Sequence, residues 1–250
     1  MSTSLARLLV TVVTVGATLT IAARAQCEAG TGAPATPAQS DSARLNLRAL
    51  WQSTAVRTIV VGTALTGIAT HFDHWAGRHT GGYEHLEKST IDAGDIFGNG
   101  AELAALSGAA WGVGVICGKP AFRRTGIEMM EAFAIDAAMV TALKPVVGRR
   151  RPDHSNSLSF PSGHSSGAFA VSTVLFRRGG WALGIPAYGL SALTAMARIE
   201  DRKHYLSDAV AGAAIGILVG ELVSPGHNQV APARTALVAS PSGMAVRFSF

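Results

Sequence analysis

The sequence predicts an all-α protein: a bundle of about six helices with its active site at one rim, followed by a small C-terminal β-hairpin. Three observations predict it. Apolar segments alternate with short polar breaks through the middle of the chain. Glycine and alanine are abundant and aromatics are few, which suits close helix–helix packing better than a β-sandwich. The last residues then switch to a period of two. The chain has 250 residues, 48% hydrophobic and 15% charged. Soluble domains usually carry about a quarter of charged residues, so this chain is either deeply buried or partly in contact with lipid. Its net charge of +5 is modest, and part of it sits in one run, "KPVVGRRRP". Nothing in this balance suggests a nucleic-acid partner.

Residues 1–25 read as an export signal. Arg7 forms the positive start, Leu8 to Ala22 the apolar stretch, and Ala23-Arg24-Ala25 a small-x-small cleavage site. An uncleaved membrane anchor is the alternative. A lipoprotein reading is disfavoured because Gln26 precedes Cys27. Residues 26–42 are rich in Ala, Pro, Gly, Thr and Ser and read as a flexible linker. Two cysteines, Cys27 and Cys117, make no disulfide framework, and no zinc-type spacing is present.

Residues 43–228 form the helical domain. Charge-free runs cover Thr58–Thr70, Leu103–Gly118, Ser165–Phe176, Gly179–Ala197 and Ala209–Gly220. Gly126–Val147 is apolar on one side but carries Glu128, Glu131 and Asp136. A spanning helix needs roughly 20 predominantly apolar residues. Only Gly179–Ala197 is that long without charge, and it contains Pro186. A charge facing lipid is costly. A soluble or peripheral bundle on the exported side of the envelope is therefore slightly favoured over an integral membrane protein. Residues 229–250 read as strand, turn, strand: Met244, Val246, Phe248 and Phe250 alternate with Ala245, Arg247 and Ser249. A disordered tail is the other reading of this segment.

Three clusters stand where apolar helices start or end. In the first, Lys144 closes an apolar helix and Arg151 follows seven residues later, before Pro152. Proline disfavours the helical conformation in the residue before it, so Arg151 belongs to an extended or turn segment. Lysine offers a point charge and arginine a planar fork for phosphate oxygens. In the second, "PSGH", Ser162 can cap a helix and Gly163 lets a ligand approach the backbone. The unpaired amides of that first turn favour an anion. His164 stands beside them, able to exchange a proton near neutral pH. In the third, Arg198 ends the longest apolar run, His204 follows, and Asp208 lies four residues on. If both are helical they share a face. The carboxylate could then keep one ring nitrogen protonated and free the other as nucleophile or base. Each cluster alone has a structural explanation. Together they would bring three cations, helix-start amides, two histidines and a carboxylate to one rim, a set suited to a dianionic phosphate.

The patterns K-x6-R-P, P-S-G-H and R-x5-H-x3-D, in this order, resemble the signature of the type 2 phosphatidic acid phosphatase superfamily. That group includes lipid phosphate phosphatases, bacterial non-specific acid phosphatases and vanadium-dependent haloperoxidases. The resemblance implies that His204 attacks phosphorus and that Asp208 orients and activates it. It implies that His164 protonates the leaving alcohol and then activates water. Lys144, Arg151, Ser162, Gly163 and Arg198 would bind the phosphoryl oxygens, and no metal or other cofactor would take part. One departure is visible: Ala197 precedes Arg198 where the family often has serine. The expected activity is phosphomonoester hydrolysis, first on an envelope lipid phosphate and alternatively on a soluble phosphomonoester. A vanadate-dependent haloperoxidase and a non-catalytic phospholipid-binding protein are the remaining rivals. In "THFDHW", His71, Asp73 and His74 are too few and too close for a metal site and read as a helix end. Glu200 to Lys203 read as a solvated loop.

Overall fold

The computed structural model describes residues 53–79, 88–224, 234–240 and 243–249. The signal and linker assigned to residues 1–42 lie outside the described residues. Six helices follow in order: α1 (Thr54–His79), α2 (Lys88–Gly98), α3 (Gly100–Ile116), α4 (Pro120–Val147), α5 (Gly163–Glu200) and α6 (Leu206–Val223). The backbones of β1 (Arg234–Ser240) and β2 (Gly243–Ser249) pair antiparallel, from Arg234 opposite Ser249 to Ser240 opposite Gly243.

The helix ends obey local rules. Asn99 caps α3 by accepting from the Ala101 amide at 3.0 Å. Pro120 opens α4, where its missing N–H costs nothing. Gly148 closes α4 in the left-handed conformation, at φ 59°. The two expected runs Ser165–Phe176 and Gly179–Ala197 fall on the two helical stretches of α5, which meet at a kink at Gly180, whose φ of 63° is open to glycine. The short helix α2 has no counterpart among the expected elements. It carries Asp92 and Asp95, so it gives no apolar run.

The core gathers Leu103 of α3, Met129 and Ala132 of α4, Ala170, Val171 and Val174 of α5, and Val219 of α6. Helix α6 lies between α1 and α5, α3 packs on α4, and α2 packs on α5. The α5–α6 contact is backbone-close. A methyl group on Gly212 would stand 2.5 Å from the Ser162 carbonyl oxygen, and one on Gly216 2.1 Å from that of Ser166. Small residues in steps of four allow this approach. It fixes the start of α6 against the start of α5, where two of the three clusters lie.

The preference for a peripheral bundle is corrected here. Among the described residues three helices, α1, α5 and α6, are long and apolar enough to cross a membrane. Helix α1 has 26 residues, about 39 Å at 1.5 Å per residue. Its outward face shows Val61, Leu65, Ile68, Phe72 and Trp75, all exposed. The chain has the build of an integral membrane protein. Charge-free runs alone are too short for most spans, and Asp136 inside its helix weighs against lipid only if it is unpaired. Three of the internal acids, Asp136, Glu128 and Asp73, are in fact buried and partnered, while Glu131 is exposed. Asp136 accepts from the Ser166 hydroxyl, Glu128 pairs with Arg178 and Arg124, and Asp73 is held by Arg149 and Ser207. Polar groups paired inside a bundle escape the lipid penalty.

Candidate active site

The third cluster departs most from its expectation. His204 is not helical: α6 starts at Leu206 with Tyr205 as its cap. His204 and Asp208 therefore do not share a helix face in the way the i, i+4 spacing suggested. The His204 Nδ1 lies 2.6 Å from the backbone carbonyl oxygen of Ser159 and 3.8 Å from Asp208 Oδ2. A carbonyl only accepts, so Nδ1 carries the proton and Nε2 keeps its lone pair. The task given to Asp208 thus falls to Ser159. The same serine turns its hydroxyl to Asp208, donating to Oδ2 at 2.5 Å. Asp208 is fully buried and also accepts from the Tyr205 amide at 2.9 Å and from Arg149 at 2.6 Å. Its position in the first turn of α6 suits a carboxylate.

Arg149 and Ser159 are functional candidates that the sequence reading passed over. Arg149 reaches Asp208 with one nitrogen and Asp73 of α1 with the other, at 2.7 Å. Its guanidinium carbon lies 4.0 Å from the centre of the Tyr205 ring. Burial opposes its charge, but the Asp208 and Asp73 carboxylates outweigh that and raise its pKa above the ordinary arginine value. Asp73 also accepts from the amide and hydroxyl of Ser207, at 2.9 and 2.7 Å. "THFDHW" lies inside α1, which runs on to His79, so it is a structural anchor rather than the expected helix end. The missed signal was "GR" inside the first motif and an acid in an apolar helix.

In the second cluster Ser162 caps α5, its Oγ accepting from the Ser165 amide at 3.4 Å. Its own amide donates to the Asp208 carbonyl at 3.0 Å, tying the two helix starts together. A methyl group on Gly163 would meet only Val140 Cγ1, at an ordinary 3.5 Å. The protein side therefore does not require glycine there.

Among the cations, Lys144 Nζ donates to the Leu158 carbonyl at 2.9 Å. Arg198 reaches both oxygens of Asp95 at 2.8 Å and Asp201 at 3.3 Å. Asp95 belongs to α2, so the helix missed in the sequence holds a cation of the third motif. Ala197, where the family often has serine, is fully buried close to Gly94 of α2. Arg151 Nε, Arg198 Nε and Ser165 Oγ are buried without a hydrogen-bond partner among the described residues. Lys144 lies within electrostatic range of Arg151 and Arg198. His164 is within range of Arg198, Lys144 and His204, and His204 of Lys144 and Arg151. The structure thus gathers the residues of the three motifs in one place. Burial lowers the His204 pKa, Asp208 opposes that, and Lys144 and Arg151 reinforce it; the net shift is downward. The ring stays neutral at neutral pH.

The segment expected to be a solvated loop is partly engaged. Glu200 is buried, and Lys203 donates to Asp153 at 2.8 Å, holding that carboxyl well below the usual range.

A model of the PAP2 superfamily matches residues 126–230, which contain all three clusters. Over that segment the chain is similar to the PAP2 superfamily. Over 93 residues it is 41% identical to a lipid A 1-phosphatase of Porphyromonas gingivalis, covering 36% of this chain and 21% of that protein. It is 29% identical over 119 residues to phosphatidylglycerophosphatase B of Bacillus subtilis, covering 41% of this chain and 59% of that one. The chain thus spans less than two thirds of these relatives. The crystal structure of a transmembrane PAP2-type phosphatidylglycerolphosphate phosphatase from Bacillus subtilis shares the fold. Its TM-score is 0.57 at 21% identity, covering 72% of this chain and 98% of that one. This PAP2 fold, together with the three long apolar helices, is what overturns the peripheral assignment.

Proposed function

We propose that the protein is a membrane-embedded phosphomonoester hydrolase acting on a lipid phosphate through a phosphohistidine. The observation that carries this reading is the His204 Nδ1–Ser159 carbonyl contact at 2.6 Å. It leaves the Nε2 lone pair free in a group buried beside Lys144 and Arg151. Nε2 attacks phosphorus, and the bond from phosphorus to the alcohol oxygen breaks. His164 gives the departing oxygen a proton. It then takes one from water, whose oxygen displaces Nε2 and yields inorganic phosphate. Lys144, Arg151, Arg198 and the first amides of α5 balance the charge on the three peripheral oxygens. The unpartnered Nε atoms of Arg151 and Arg198 support a dianionic ligand there.

A lipid is favoured over a soluble ester because the site belongs to a bundle with membrane-crossing helices, and because the relatives' names are those of lipid phosphatases. The test is phosphate release in detergent from phosphatidic acid and from p-nitrophenyl phosphate, beside His204→Ala. Phosphorus label should be trapped on the wild type in a base-stable, acid-labile form. Release that survives His204→Ala would sink the reading.

A further inference from the structure

Asp73, Arg149 and Asp208 form a chain of opposite charges that ends beside the His204 ring. We propose that Arg149 and Asp73 are positioning residues that aim the Asp208 carboxylate at this ring and so set its charge balance during phosphoryl transfer; the reaction itself rests on the function proposed above. Neither residue touches the bound phosphate in this scheme.

Asp208 has two oxygens and about four acceptor directions. Arg149 takes Oδ1, while Ser159 and the Tyr205 amide take Oδ2. The carboxylate is thereby locked, and its charge faces Nδ1 at 3.8 Å without taking the proton. Arg149 in turn is shared. Its second nitrogen is committed to Asp73 at 2.7 Å, and its face lies over Tyr205. The three groups carry a net charge of −1. Attack through Nε2 turns a neutral ring into a phosphorylated cation, because Nδ1 keeps its proton. A net negative cluster behind the ring stabilises that cation, while an Arg149–Asp208 pair alone would be neutral. Asp73 supplies the difference, and it comes from α1, outside the three motifs.

Other charges also act on the ring. Lys144 of α4 and Arg151 of the following loop oppose a positive ring, and His164 of α5 lies within range. A cavity of about 520 Å³ beside His204 is bordered by His74 and Arg78 of α1, His154 and Arg202. Among so many basic groups, the acid on α1 offsets the Arg149 charge and leaves that of Asp208 uncancelled within the three-residue chain.

The experiment compares Asp73→Asn and Arg149→Lys with the wild-type full chain on phosphatidic acid in detergent. For Asp73→Asn, kcat should fall about 10- to 100-fold, as when an outer partner of a functional histidine is lost. KM should stay within about twofold by the same reasoning, and the acidic limb of kcat/KM should move to lower pH. Arg149→Lys keeps the charge but loses the fork, so kcat should fall while the limb stays put. In parallel, the His204 ring is titrated by nitrogen NMR in micelles, its signal identified by its absence in His204→Ala. Its midpoint should move to lower pH in Asp73→Asn. Wild-type kcat in both variants, a KM rise matching the kcat fall, or an unmoved midpoint and limb in Asp73→Asn would overturn the proposal. A wild type that hydrolyses nothing would overturn the phosphatase reading instead, and the NMR midpoint would still decide this one.

Discussion

His204 gives its Nδ1 proton to the Ser159 carbonyl at 2.6 Å, and the Ser159 hydroxyl donates to Asp208 at 2.5 Å. One residue thus touches both members of the expected His–Asp pair, and the two contacts can be separated. Ser159→Ala removes the hydroxyl and leaves the carbonyl. A hydrogen bond to a charged group contributes about 1.5–3 kcal/mol. The expected outcome is a loss of stability of that order, with the His204 tautomer unchanged. Asp208→Asn should cost far more activity, because it removes the charge facing the ring and one of the two carboxylates that hold Arg149. Nitrogen NMR and steady-state kinetics on both variants check this. Equal loss of activity in the two would count against it.

The His204 pKa is lowered, chiefly by burial. The sign of its effect on stability follows from proton counting. Below the ordinary imidazole value of about 6.5, the unfolded chain takes up a proton and the folded ring does not. Its contribution is therefore complete above about pH 6.5 and is lost as pH falls toward the lowered native value. Activity needs the neutral ring, so the acidic limb of kcat/KM should lie below the ordinary imidazole range. Thermal unfolding of wild type and His204→Gln across pH 4.5 to 7.5, roughly the window around that reference value, checks the first point. The two curves should converge as pH falls.

Arg198 is gripped by Asp95 from α2, through both carboxylate oxygens at 2.8 Å. Asp95→Asn removes the charge that holds the cation in place. The pair is partly exposed, so little stability should be lost. The effect should appear in substrate binding instead, as a KM rise of about tenfold, the equivalent of 1.4 kcal/mol. A KM within twofold of wild type would show that Arg198 needs no tether.

The three motifs were legible only in combination: each alone has a structural explanation, and it is their order at helix ends that points to one site. That Lys144, Arg151, Ser162, Gly163, His164, Arg198, His204 and Asp208 share one rim was an expectation from motif order together with the family resemblance. The pieces that escaped notice are long-range. Asp73 and Arg149 are 76 positions apart and Arg198 and Asp95 are 103 apart; no local period reports such pairs. Helix α2 escaped because it buries a glycine edge, Gly94 and Gly98, against α5 and carries no apolar run. The membrane assignment failed for a related reason. Whether an acid such as Asp136 faces lipid or Ser166 depends on which neighbour it meets, and sequence periodicity alone does not give that.

Two glycines, Gly163 facing α4 and Gly216 facing α5, should respond in opposite ways. A methyl group on Gly163 meets only Val140, at 3.5 Å, and the φ there is not positive. Gly163→Ala should therefore fold with wild-type stability or slightly above it, since alanine favours helix. Its cost should fall on the ligand side, where the methyl would crowd an anion at the α5 amides: lower phosphatase activity and weaker inhibition by inorganic phosphate. A methyl on Gly216 would lie 2.1 Å from the Ser166 carbonyl oxygen. Backbone cannot yield there without separating α5 from α6, so Gly216→Ala should lose well over the 1–3 kcal/mol typical of overpacking. Detergent thermal-shift measurements alongside phosphate release separate the two. A destabilised Gly163→Ala would mean that the glycine serves packing, and the anion reading of this helix start would lose its clearest support.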